Sequence, residues 1–222
     1  MKSLSLALSV PVTQLVLIGG GEFSFGETRE IDEYLVSKIA PDNRTIAFLP
    51  TASGSAEYAQ HIGKYFSEID PSLVTTNVPV YRGRDSRRQK SVDLLRFAGL
   101  IYIGGGVTNN LLATLRESAA EMAIRDAAAN GAVVAAIGAA ASCFGTFARD
   151  MRGVTSALPA LGWLTDTAVD APFDAANDAG LRRLMTVAKH GIGIPPKTAL
   201  AIDAQGSAQV LGEGDVATFR LA

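Results

Sequence analysis

The chain holds one cysteine and two histidines in 222 residues. An internal disulfide is therefore impossible, and a metal centre of the usual histidine and cysteine spacing has too few ligands to draw on. Net charge is nearly absent too, because 20 Lys and Arg stand against 22 Asp and Glu, leaving −2. Such a balance speaks against nucleic acid as a partner, since holding a phosphate backbone needs an electropositive face. The one basic concentration, Arg82 to Lys90 with Arg84, Arg87 and Arg88 inside it, reads as a solvated loop and helix start. No apolar run reaches the length of a membrane span, so no membrane partner is expected. Neither a metal nor a cofactor is anticipated.

What the chain has in quantity is apolar side chains, 48% of its residues, enough for one substantial core and too little length for two independent ones. At the N-terminus Leu4, Leu6, Leu8 and Val10 alternate with Ser3, Ser5, Ala7 and Ser9. That is the period of a half-buried strand rather than the uniform apolar core of a signal peptide, and no clear small-residue cleavage site follows it. A cytoplasmic setting is expected. Residues 1–13 are read as an N-terminal extension or extra strand, and 14–222 as a single α/β domain.

From Leu15 onward, apolar runs alternate with helical patterns, which predicts a mostly parallel sheet covered on both faces. The predicted strands are 15–21, 45–53, 73–81, 100–106 and 132–138, with helices near 27–39, 56–69, 91–97 and 109–118 between them. Glycine turns close several of these strands at their carboxyl ends, the side on which open α/β sheets bind ligands. Later in the chain a helix near 179–190 precedes three short runs at 198–203, 208–212 and 216–221, separated by Gly206 and Gly214. These predict antiparallel strands added to the sheet edge.

The fifth strand runs directly into Ile137 to Gly145, IGAAASCFG. This has the form of a nucleophile elbow, a tight strand-to-helix turn that lifts one reactive side chain above the sheet. Here the tip falls on Gly138, which has no side chain.

LIGGGE at 17–22, FLPTAS at 48–53, YIGGGVTNNLL at 102–112 and TALAID at 198–203 stand in an order that resembles the dipeptidase E and cyanophycinase family of serine peptidases. The resemblance implies a class I glutamine amidotransferase-like domain, a flavodoxin-like three-layer sandwich. Family elbows read Gly-x-Ser-Ala-Gly-Ala. An ungapped match puts Gly138 on the serine and Ala139 on the following alanine, and a shifted register puts Ala140 on the serine. Both registers lack the hydroxyl. The family's catalytic histidine precedes a phenylalanine, and the corresponding segment here is Asp170, Ala171, Pro172, Phe173, with Pro172 where the base belongs. Loss of such groups costs orders of magnitude in rate.

The resemblance therefore implies a member without peptidase activity whose pocket is kept for binding a peptide, a small acidic ligand or a partner protein. The backbone N–H groups around Gly105, Gly106 and Ala139 would still favour an anion there. Gly20, Gly21, Glu22 and Asn109 complete the expected lining, although Glu22 also suits a loop-positioning role and Asn109 or Asn110 a helix cap. The alternative is an active hydrolase with a rearranged site using Ser142 or Cys143, the nucleophilic side chains near the elbow. Against it, Ser142 lies one turn past the tip and Cys143 sits in an apolar stretch. His61 reads as a surface residue, and His190 as the close of the 179–190 helix with Gly191 as its cap. A homodimer built through a sheet edge or helix face is a third arrangement the sequence allows.

Overall fold

The computed structural model describes residues 4–55, 57–153 and 157–221. The first half runs β1 (Leu4–Ser5), β2 (Gln14–Ile18), α1 (Arg29–Lys38), β3 (Thr45–Leu49), α2 (Glu57–Ile69), β4 (Val74–Asn77), α3 (Gln89–Arg96), β5 (Leu100–Ile103), α4 (Thr108–Leu115), α5 (Ala119–Ala129) and β6 (Val133–Ile137). After it come α6 (Ala139–Ser142), β7 (Phe147–Ala148), β8 (Leu158–Pro159), β9 (Thr167–Asp170), α7 (Ala179–Leu184), β10 (His190–Gly193), β11 (Thr198–Asp203), β12 (Ser207–Gly212) and β13 (Ala217–Arg220).

The larger sheet has the order β1-β12-β11-β2-β6-β5-β3-β4. Its five strands from β2 to β4 are parallel, and β11 and β12 add antiparallel beside β2. Strands β5 and β6 are buried at every position, because helices cover both faces, and so they read in the sequence as unbroken apolar runs. Alternate residues serve opposite cores. Val16, Ile18, Phe48 and Tyr102 meet Ile31 and Leu35 of α1 and Ile62 and Phe66 of α2. Leu15, Leu17, Ile101 and Val134 meet Leu95 of α3, Leu111 of α4 and Ile124 of α5. This is the expected α/β sandwich of three layers.

Two expectations are corrected. The run 216–221 does not join the edge of the main sheet. Its strand β13 pairs with β10 in a second sheet of order β13-β10-β9-β7-β8, which the sequence did not announce. The helix expected over 179–190 stops at Leu184, and His190 opens strand β10, paired with Thr167 and Arg220. Gly191 is therefore no helix cap. A Cβ there would meet the Met185 sulfur at 2.7 Å, so its lack of a side chain lets α7 pack on the strand.

The N-terminal alternation holds in burial, with Leu6 and Val10 buried and Ser5, Ala7 and Ser9 exposed, although only Leu4–Ser5 pairs as a strand, with β12. The rest of the segment bridges the two sheets. The Ser9 N–H donates to the Trp163 carbonyl at 2.9 Å, and the Thr165 N–H donates to the Ala7 carbonyl at 2.9 Å.

Candidate functional site

Strands β2, β3, β5 and β6 end on the same side, and Gly20, Gly21, Ser53, Gly105, Gly106 and Gly138 from their following turns surround a cavity of about 730 Å³. The second sheet closes its other wall with Arg149, Asp150, Met151, Asp170, Ala171 and Pro172. Tyr58, Ile137, Ala139 and Ser142 also line it.

The elbow is present as backbone. Gly138 has φ 58° and ψ −129°, directly between β6 and α6, and its N–H donates to the Ile18 carbonyl at 2.8 Å. A Cβ placed on Gly138 meets no heavy atom within 4 Å. The tip thus faces open space in the cavity wall, where a reactive side chain would project. Ala139 begins α6, so its N–H has no partner inside the helix. Among the described residues the Gly105 and Gly106 N–H groups likewise donate to no protein acceptor.

Pro172 borders the same cavity, its Cβ 3.7 Å from the position of a Cβ on Gly20. Neither histidine reaches the cavity: His61 is exposed on α2 and His190 is in β10. No imidazole is available to activate a nucleophile.

Ser142 is 3% exposed, and its hydroxyl accepts from the Ala171 N–H at 2.9 Å and donates to the Ala171 carbonyl at 3.2 Å. Both bonds tie it to the backbone that carries Pro172. Cys143 is fully buried, with its thiol donating to the Ala139 carbonyl at 3.3 Å. Burial raises its pKa strongly, so the thiolate needed for reaction is suppressed.

Of the expected lining, Gly20, Gly21, Gly105, Gly106 and Ala139 surround the cavity, whereas Glu22 and Asn109 do not. Glu22 caps the short helical turn Phe23–Phe25, accepting from the Ser24 N–H and hydroxyl at 3.3 and 3.0 Å. Asn109 supports the opposite wall. Its Nδ2 donates to Asp150 at 2.7 Å and its Oδ1 accepts from the Met151 N–H at 3.0 Å.

Arg149 and Asp170 were missed by the sequence reading as a pair. The guanidinium Nη2 donates to Asp170 Oδ1 at 2.5 Å, with the Asp170 side chain 5% exposed and that of Arg149 48% exposed. Burial pushes the Asp170 carboxyl up, and Arg149 works against that push. The two lie 21 residues apart on elements of a sheet that local periodicity does not reveal, so the only sequence signal was Asp170 opening the segment that ends at Phe173. Among the described residues no group of three His, Cys, Asp or Glu side chains is arranged to hold a metal, and no helix is long and apolar enough to cross a membrane.

Residues 15–208 match the model of peptidase family S51. An uncharacterized peptidase of Bacillus subtilis (strain 168), YgaJ, is 34% identical over 157 residues, which span 68% of this chain and 65% of that protein. The match thus covers just under two thirds of the relative's length. Among solved structures, a peptidase from an acI-B1 actinobacterium superposes with a TM-score of 0.79 at 22% identity, covering 94% of this chain and 91% of the other. A candidate peptidase E protein from Listeria monocytogenes EGD-e superposes with a TM-score of 0.61 at 17% identity, over 95% and 100%. At these identities the two structures speak for the fold.

Proposed function

Because the chain belongs to peptidase family S51, we propose that it is a member that has given up hydrolysis and keeps the cavity at the strand ends as a binding site for a small acidic ligand or peptide. The observation that carries this reading is the elbow itself. Its backbone geometry is that of a working turn, its tip opens into the cavity, and the residue there is glycine. The neighbouring groups support the same reading, because Pro172 borders the cavity where a base belongs and Ser142 is held by two backbone hydrogen bonds.

A serine hydrolase needs a hydroxyl, a base within about 3 Å of it and an oxyanion site. Only the last has material here, in the N–H groups of Gly105, Gly106 and Ala139. Removing the hydroxyl and imidazole leaves a site that attracts a carboxylate or peptide carbonyl without attacking it.

The test is turnover. Purified wild-type protein incubated with a mixture of di- and tripeptides, including aspartyl peptides, should give no product by mass spectrometry above a mock purification. Product that persists through successive purification steps and disappears in Ser142→Ala would place catalysis on the rearranged site and overturn the reading.

A further inference from the structure

Arg149 is held more firmly than a half-exposed arginine usually is. Its carbonyl accepts from the Thr108 hydroxyl at 2.8 Å, and the two residues after it are clamped by Asn109. Its guanidinium is anchored on Asp170 and lies against α7 at Gly180, where a Cβ would come within 2.8 Å of Cζ and Nη1 and 2.9 Å of Nε. Only a residue without a side chain leaves the group room to lie there.

A guanidinium has five N–H donors, and among the described residues Asp170 takes one of them. The remaining donors belong to a side chain that lines the cavity. Apolar surface comes from Tyr58, Ile137, Ala139, Met151, Ala171 and Pro172, beside five glycines and four serine and threonine side chains. Two carboxylates, Asp150 and Asp170, share the wall with Arg149.

We propose that the cavity takes a monocarboxylate with an apolar body, its carboxylate on Arg149 and its body over Ile137, Gly138, Ala139 and Pro172. This rests on the reading of the cavity as a binding site. A second carboxylate on the ligand is disfavoured, because Arg149 is the only cationic side chain among the described lining residues and Asp170 already takes one of its donors. Gly180 is the positioning residue that keeps the guanidinium flat on the wall.

The experiment is calorimetric titration, at low salt and neutral pH, of 3-phenylpropanoate, its amide and phenylsuccinate into the full-length wild type, Arg149→Gln, Arg149→Lys and Gly180→Ala. A charge-assisted hydrogen bond lost with the amide should weaken binding roughly tenfold or more. Phenylsuccinate should also bind more weakly than the monoacid. Arg149→Gln should bind acid and amide alike. Since that change leaves Asp170 without its partner, Arg149→Lys and Gly180→Ala serve as milder variants. The first keeps the charge without the planar fork, the second keeps the arginine and displaces it, and both should bind the acid several-fold more weakly while unfolding cooperatively.

Equal affinity for acid and amide in the wild type, undiminished acid binding by Arg149→Gln, or no acid binding at millimolar concentration would each overturn the proposal. Mass spectrometry of the amide sample reads the other question separately. Conversion of amide to acid would overturn the non-hydrolytic reading and leave the comparison of affinities intact.

Discussion

A serine written at position 138 would enter space with no heavy atom within 4 Å of its Cβ, but would have to adopt φ 58° and ψ −129°. Holding a non-glycine residue in that region costs on the order of 1–3 kcal/mol. Gly138→Ser should therefore fold, lose about that much stability in urea, and hydrolyse nothing, because Pro172 supplies no base. An unchanged urea midpoint, or turnover from the single variant, would contradict this. A second residue sets a pH dependence unrelated to the cavity. Asp32 is fully buried, Thr28 and Tyr65 hydroxyls donate to its Oδ2 at 2.7 and 2.8 Å, and its Oδ1 has no partner among the described residues. Burial pushes its carboxyl from the ordinary 3.8 up to about 6, with the two hydroxyls opposing. A carboxyl raised on folding stabilises the fold fully below its unfolded pKa, and that contribution is lost as the pH rises through about 6. Two units correspond to roughly 3 kcal/mol. Asp32→Asn cannot titrate, so wild type should lose about that much stability relative to the variant between about pH 4 and pH 7.5. Urea titrations across the range check it, and a difference independent of pH would refute it.

The elements most legible in the sequence were those whose burial is symmetric. Runs 15–18, 46–49, 100–103 and 133–137 are apolar because they lie between two helical layers, and glycine or proline stops each at the cavity side. Short or sparsely patterned elements were not legible. Strands β7 and β8 have two residues each, too few to display a period, and β10 contains two glycines. Helix α5 was overlooked although it carries its own signal. Ser118 and Glu121 have the spacing of a capping box, and the Ser118 hydroxyl accepts from the Glu121 N–H at 3.2 Å. Glu121 in turn accepts from the Glu117 N–H at 2.6 Å and from Arg125 at 2.7 Å. Ser118→Ala should cost about 1 kcal/mol of global stability through the cap alone. Denaturant unfolding measures it, and a loss near zero would mean that packing of Ala120, Ala123 and Ile124 holds the helix without its cap.

At the scale of the molecule, the cavity exists because two sheets meet. Gly19, just past β2, approaches the segment after β10 so closely that a Cβ would lie 1.9 Å from the Pro195 carbonyl oxygen. The elbow and the glycine turns come from the first sheet, and Arg149, Asp170 and Pro172 from the second. The sequence exposed the first contribution through its motifs. It hid the second, since Arg149, Asp170 and Gly180 become neighbours only through a sheet assembled from distant short strands. Residues 4–13, which lie outside the part of the chain matched by the family, help join the sheets by burying Leu6 and Val10 in the main core. Burial of two such side chains contributes about 3–5 kcal/mol. Deleting residues 1–11 should lower the urea midpoint accordingly, and an unchanged midpoint would mean the segment is an appendage.

Whether the elbow is silent can be read from intact-protein mass after exposure to a fluorophosphonate, with Ser142→Ala treated in parallel. The wild type should stay unmodified, because Gly138 offers no hydroxyl and that of Ser142 is tied to Ala171. A single stoichiometric adduct on the wild type, absent from Ser142→Ala, would reveal an activated serine and contradict a silent elbow.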